Sequence, residues 1–272
     1  MIKGRYTVFT AAIIAGLFLS NVAAVSTELK NVGAVAQELH SGNTEVPALR
    51  ITITPQGKAV VAENQPAGLD LCPTCISFVS QSINNLIQII ANGGIVGGCS
   101  ALCGMLPNQT LGEVCALLCD IVGIDMFVKI LSKVDLDPFY ACELLTVCHP
   151  TDGGAANITD FQASPNPGHR DSEIDFSASL QVTKPCGDGE LIFAIQDPEG
   201  NVLGSGQVFG SLQPNVYSID FQVKTEPSQQ QGGEQWPAGD YMAEMAVCQG
   251  ECGSHHPHSE VYDVKNMKFS IE

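Results

Sequence analysis

"CSALCGMLPNQTLGEVCALLCD", residues 99–120, places four cysteines in two pairs, each pair four residues apart, on either side of a short polar stretch. Residues four apart share one face of an α-helix. The stretch between the pairs contains Pro107 and Gly112, which punctuate helices. Two helices joined there as an antiparallel hairpin bring Cys103 opposite Cys115 near the loop and Cys99 opposite Cys119 one turn deeper. The segment therefore reads as a helical hairpin stapled by two disulfide rungs. The Asn108-Gln109-Thr110 sequon sits at its tip, where a glycan needs exposure.

The start of the chain bears on whether those sulfurs can oxidise. "MIKGRY" is short and basic, "TVFTAAIIAGLFLS" is uncharged and mostly apolar, and "NVAAVS" offers small residues for cleavage, with Val22 and Ala24 where a signal peptidase reads. Residues 1–24 are expected to be a secretory signal peptide. No later stretch is long and apolar enough to cross a bilayer. The expected localisation is secreted and extracellular, where disulfides persist. Of the 11 cysteines, eight lie between Cys72 and Cys148, and Cys186, Cys248 and Cys252 follow downstream. An odd total leaves one thiol over. Cys186 is expected to pair with Cys248 or Cys252.

The charge is strongly acidic, 12 Lys and Arg against 29 Asp and Glu; loss of the signal removes Lys3 and Arg5 and takes the net charge to −19. Such a chain is repelled by nucleic acid and by anionic lipid headgroups at neutral pH. Nucleic acid is excluded as a partner.

Residues 25–66 read as a pro-segment or spacer. Residues 67–150 are cysteine-rich with helical spacing: Ile76, Val79, Ile83, Leu86, Ile87 and Ile90 form one stripe, and "NGG" (92–94) breaks it. A second helix is expected around residues 95–106 and a third around 111–122. Asp125 is expected to cap a fourth, and Asp137 with Pro138 to open a fifth. Residues 151–157 read as a linker.

From residue 158 to 272 the period becomes two. Ile174, Phe176, Ala178, Leu180 and Val182 alternate with polar residues, as do Tyr217, Ile219, Phe221 and Val223. Tyr241, Ala243, Met245 and Val247 repeat the pattern, and Met267, Phe269 and Ile271 close the chain. About seven short strands separated by turn signals predict an antiparallel immunoglobulin-like β-sandwich. The fold class is thus α+β in two domains. In "PAGDY" (237–241) the tyrosine ring is expected to pack and its hydroxyl to bond to backbone. Trp236 beside it is a candidate exposed contact. "HHPH" (His255, His256, His258) lies near Cys248, Glu251 and Cys252 and invites a metal reading. Pro257 breaks any regular ligand spacing, so a polar loop is the reading adopted, with no metal or cofactor. Asn157 opens the second sequon, and both sequons are expected in glycosylated loops.

Cys72 and Cys75 open the helical region as C-x-x-C, and Cys142 and Cys148 close it. The gaps of 28, 12, 27 and 6 residues between Cys75, Cys103, Cys115, Cys142 and Cys148 resemble a saposin B-type domain. That resemblance implies nested outer pairs, Cys72–Cys148 and Cys75–Cys142, with Cys103–Cys115 as the third; Cys99–Cys119 is additional. Zinc ligation by the C-x-x-C would need histidines nearby, and only His149 is close.

Together with "DIVGIDMFVKIL" (120–131), "DPFYACE" (137–143), "PAGDY" and "CQGECGSHHPH" (248–258), the whole mature chain resembles countin, a family of secreted amoebal proteins that regulate cell number in groups. The resemblance implies a disulfide-rich glycoprotein with an extracellular signalling or adhesion-modulating role. Its implied partners are other secreted proteins of a complex or a cell-surface receptor. The saposin part alone implies the alternative, a lipid-binding or membrane-perturbing effector. That region carries seven acids against Lys129 and Lys133, which disfavours anionic membranes at neutral pH. It also lacks the histidine that pore-forming members carry between the last two cysteines. An enzyme is not expected. There is no G-x-S-x-G elbow, no ligand pair at helical spacing, and no Cys–His pair free of disulfide duty.

Overall fold

In the computed structural model, residues 52–55, 71–93, 97–133, 137–225 and 236–272 are described. The expected signal peptide and most of the expected spacer lie outside the described residues. Among the described residues no helix is long and apolar enough to cross a membrane.

Five helices come first: α1 (Leu71–Gly93), α2 (Cys99–Cys103), α3 (Gln109–Val122), α4 (Ile124–Leu131) and α5 (Pro138–Leu144). The buried side of α1 is Cys72, Cys75, Ile76, Phe78, Val79, Ser82 and Leu86; of the expected stripe Ile76, Val79 and Leu86 are buried and Ile83 and Ile90 half-buried, whereas Ile87 is exposed. The buried side packs against Leu102, Leu118, Phe127, Leu131 and Phe139 from the other four helices. Four disulfides tie this core: Cys72–Cys148, Cys75–Cys142, Cys99–Cys119 and Cys103–Cys115. The second helix is shorter than expected, because Gly97 and Gly98 hold positive φ before it and Gly104 ends it.

The expected cap of α4 is corrected. Gly123, at φ +79°, ends α3 and directly precedes α4, so the two helices abut without a loop. A side chain at that φ is strained, and Asp125 falls in the first turn instead.

Eight strands build the rest: β1 (Thr52–Pro55), β2 (Ala155–Ser164), β3 (Glu173–Lys184), β4 (Gly189–Gln196), β5 (Val202–Phe209), β6 (Asn215–Lys224), β7 (Gly239–Gln249) and β8 (Glu260–Ile271). They form two antiparallel four-stranded sheets, ordered β1-β6-β3-β2 and β5-β4-β7-β8. Phe176 and Phe221 of the first sheet meet Phe193 and Phe269 of the second, with Phe193 and Phe221 centroids 4.0 Å apart. This is one shared apolar core. Two expected boundaries shift. Part of the expected spacer supplies strand β1, and β2 takes residues 155–157 from the expected linker.

β4 and β7 do not keep strict alternation. β4 is buried from Gly189 to Ile195. Its second face forms a small cluster, Ile192 with Ala246, Cys248 and Cys252. The loop after β7, closed by Cys248–Cys252, folds back to cover it.

Candidate functional site

The helices meet the sheets along a seam made by α5, the residues just after it, and the loop between β7 and β8. Asp137 accepts from the Tyr140 backbone N–H at 2.7 Å through Oδ1, so it is the N-cap of α5. Its Oδ2 accepts the Ser254 hydroxyl at 2.7 Å and lies 3.6 Å from His256 Nε2. The His256 ring stacks on Tyr140 at 4.3 Å between centroids and 11° between planes. Lys133 Nζ stands 5.2 Å from the same tyrosine ring. A cation beside an aromatic face is attracted by its quadrupole.

Two buried polar side chains hold the connection from α5 to β2. Asp188, just before β4, accepts from the His149 backbone N–H at 2.7 Å and from the Ser211 hydroxyl at 3.0 Å. Gln249, at the end of β7, accepts from Thr151 N–H, Gly187 N–H and the Tyr262 hydroxyl at 2.9, 3.0 and 2.9 Å, and donates to the His258 carbonyl at 2.7 Å. Buried polar groups are stable only when bonded in this way. Gly187 permits the approach: a Cβ there would fall 2.6 Å from Thr151 N and 2.7 Å from the His149 carbonyl oxygen. The connection from α5 to β2 is pinned to the sheets at residues 149 and 151.

Two titratable groups at the seam are shifted upward. Partial burial, aided by Asp137 and Asp188 and opposed by His258 and His256, pushes the Glu143 carboxyl up to about 7. His258 Nδ1 lies 2.7 Å from Asp152 Oδ1, and that hydrogen bond raises the imidazole above its ordinary value. The join between the domains can therefore respond to protons.

The histidine-rich loop is engaged across the seam. His256 lies by Asp137 and His258 by Asp152, while His255 is exposed. Among the described residues the one compact set of potential metal ligands is Cys72, Cys148 and Asp188, and both of those sulfurs are already in a disulfide.

The pairing expected for Cys186 is corrected. Cys248 pairs with Cys252, and Cys186 is a buried free thiol whose pKa burial raises. Cys186 belongs to the core between the sheets, whereas Cys248 and Cys252 line the cluster on the outer face of β4 and β7. Trp236 is likewise not an exposed contact; it is buried, 5.9 Å from the Tyr241 ring. The Tyr241 hydroxyl donates to the Pro237 carbonyl at 2.7 Å.

Asn108 is exposed and caps α3, its Oδ1 accepting from Thr110 and Leu111 N–H at 2.9 and 3.3 Å. A glycan would attach at Nδ2, which the cap does not use. Asn157 lies in β2 rather than a loop, exposed between the buried Ala156 and Ile158. On the helical domain, Ile87, Met105, Leu117, Ile121 and Met126 are 43 to 54% exposed. Leu117 and Ile121 are four apart on α3, so they share a face.

Family models describe the same two parts of the chain. The Countin N-terminal domain matches residues 70–146, and the Countin C-terminal domain matches residues 156–272. Countin-1 of Dictyostelium discoideum is 40% identical over 206 residues, which cover 75% of this chain and 79% of that protein. Countin-3 of the same organism is 36% identical over 200 residues, covering 74% of this chain and 89% of that protein. Among solved structures, the C-terminal domain of wzt is 13% identical, covers 46% of this chain and 78% of its own, and gives a TM-score of 0.34, too low to carry an argument.

Proposed function

The chain belongs to the countin family, and on that premise we propose that it is a secreted glycoprotein that regulates cell number or group size from outside the cell, within a complex of secreted proteins or at a surface receptor. The observation that carries this reading is the 40% identity to Countin-1 across most of both chains. Five disulfides support an oxidising compartment. Exposed Asn108 and Asn157 support glycosylation.

The nested Cys72–Cys148 and Cys75–Cys142 pairs support a saposin B-type reading of the helices. The two packed sheets support an immunoglobulin-like reading of the rest. The role proposed is non-catalytic: the polar residues gathered at the seam serve hydrogen bonds that join the domains. The test is to size the protein in conditioned medium before and after glycosidase treatment and to pull it down with its neighbours. Co-purifying secreted proteins and a mass loss on treatment are expected. A monomer without partners or glycan would overturn the complex and glycoprotein readings.

A second reading is favoured by the exposed Met105, Leu117, Ile121 and Met126, which could enter a lipid surface. Dye release and co-sedimentation with neutral and anionic vesicles at about pH 5 and pH 7 test it. Leakage at acidic pH would move the proposal to a lipid effector.

A further inference from the structure

Among the described residues, the polar contacts that join the helices to the sheets fall into two groups of different chemistry. The first is at residues 149–151, where backbone N–H groups donate. His149 donates to Asp188 at 2.7 Å and Thr151 to Gln249 at 2.9 Å, and both acceptors are buried. Backbone donors do not titrate, and neither does the Gln249 amide.

The second group lies between α5 and the loop from β7 to β8, and there the contacts are between side chains. Asp137 accepts the Ser254 hydroxyl and lies 3.6 Å from His256 Nε2, while the His256 ring covers Tyr140. α5 cannot yield by itself. Cys75–Cys142 ties it to α1, and Cys72–Cys148 closes the turn after it. Any separation at this contact therefore moves the helical domain as a unit.

The charges at the contact come from every element around it. α5 supplies Asp137 and Glu143, with Tyr140 between them, and Lys133 reaches the Tyr140 hydroxyl at 3.4 Å. The loop supplies His256 and His258, and the connection supplies Asp152, 2.7 Å from His258 Nδ1. Asp188 acts on Glu143 from the start of β4, with His149 Nδ1 3.9 Å from it. With the imidazoles protonated and Glu143 neutral, cations and carboxylates are matched. With the imidazoles neutral, Asp137, Glu143, Asp152 and Asp188 face Lys133 as the one cation among the described groups here.

We infer that the loop between β7 and β8 is a proton-operated latch on α5, and that residues 149–151 are the pivot on which the helical domain turns when the latch opens. Protonated His256 gives Asp137 a cationic partner across the seam and closes the latch. Deprotonation leaves Asp137 beside an ionised Glu143, and the population shifts to the open form. Opening uncovers Tyr140, and Val208 of β5, which packs on the helical core in the closed form. The inference does not depend on the family role, and its failure would leave that role untouched.

The test uses the full secreted chain with its disulfides intact, at pH 5 and pH 8. Hydrogen exchange, corrected for the intrinsic effect of pH on amide rates, compares latch with pivot. The His256 and Ser259 amides, bonded within the loop, should lose about ten-fold in protection at pH 8, while those of His149 and Thr151 keep theirs. X-ray scattering of the same samples should show a larger radius of gyration at pH 8. Equal loop protection at both pH values, equal loss at loop and pivot, or an unchanged radius would overturn the inference.

Two variants separate a latch from simple packing. His256→Gln stays polar but takes up no proton in this range, so loop protection and radius should become nearly the same at pH 5 and pH 8. A residue that only packs would lower protection at both and leave the pH difference, and that result would refute the latch. Glu143→Gln removes the repulsion and should retain more loop protection at pH 8 than the parent. No gain there would also count against the inference.

Discussion

Asp137 accepts the hydroxyl of Ser254 at 2.7 Å through the carboxylate oxygen that its helix cap leaves over. One side chain thus starts the last helix of the first domain and grips the last loop of the second. Ser254→Ala should remove this bond together with the one its Oγ accepts from the His256 backbone N–H at 3.1 Å, and cost about 1–2 kcal/mol. Asp137→Ala removes the cap as well and should cost about 2 kcal/mol. The double variant should cost less than the sum of the two single changes, since both delete the Asp137–Ser254 bond. Denaturant midpoints of the three variants check this; fully additive costs would mean that the two residues do not interact.

The stability of the seam should fall as pH rises. Glu143 has its pKa raised to about 7 in the folded chain, chiefly by burial. Its stabilising contribution is complete below the ordinary carboxylate value and is lost as pH climbs through about 7. His258, raised by Asp152, acts in the same direction: its contribution is present below the ordinary imidazole value and lost as pH rises past its raised one. Glu143→Gln keeps the shape without the charge. It should match the parent near pH 4 and exceed it at pH 8 by on the order of 1 kcal/mol, after discounting for partial exposure. Melting curves from about pH 4 to pH 8 read this directly, and an unchanged pH slope in the variant would reject the role of Glu143.

Gly187→Ala should loosen the join without touching a charge. The added methyl would sit 2.6 Å from the Gln249 side-chain oxygen as well as against residues 149 and 151. Overpacking of this kind typically costs about 1–3 kcal/mol. Hydrogen exchange at Thr151 and Gly187 should quicken first. A variant with parental exchange at both amides would show that the approach is not tight.

A thiol count tests the cysteine arrangement. One thiol per chain should react after denaturation without reductant, and next to none in the native protein, because Cys186 is buried and its pKa is raised. No reactive thiol in the denatured chain would mean that Cys186 bridges to another molecule.

Much of the architecture is readable from letters alone, for local reasons. The two rungs Cys99–Cys119 and Cys103–Cys115 follow from the four-residue spacing on facing helices, and the strands around Phe176, Phe221 and Met245 from strict alternation. The seam is not readable in the same way. Asp137 and Ser254 are 117 residues apart, and His149 and Asp188 are 39 apart, with no periodicity to announce either pair. The histidine loop reads as a polar loop in the sequence, which says nothing of its neighbours across the seam, two carboxylates and a tyrosine. β1 was illegible because four residues carry no period. An odd count of sulfurs leaves one over but does not say which of Cys186, Cys248 and Cys252 it is. What decides it is the face of the sheet: Val247 turns inward with Tyr241, Ala243 and Met245, so Cys248 next to it faces outward with Ala246, away from Cys186.

The most direct measurement of the central claim is cell number per group. The disulfide-intact protein, purified from secretion medium, would be added to Dictyostelium discoideum cells lacking Countin-1 as they aggregate. The account predicts a dose-dependent shift in group size toward that of the parent strain, with no vesicle leakage at the same concentrations. No shift at any dose, or a shift that appears only where membranes leak, would contradict it.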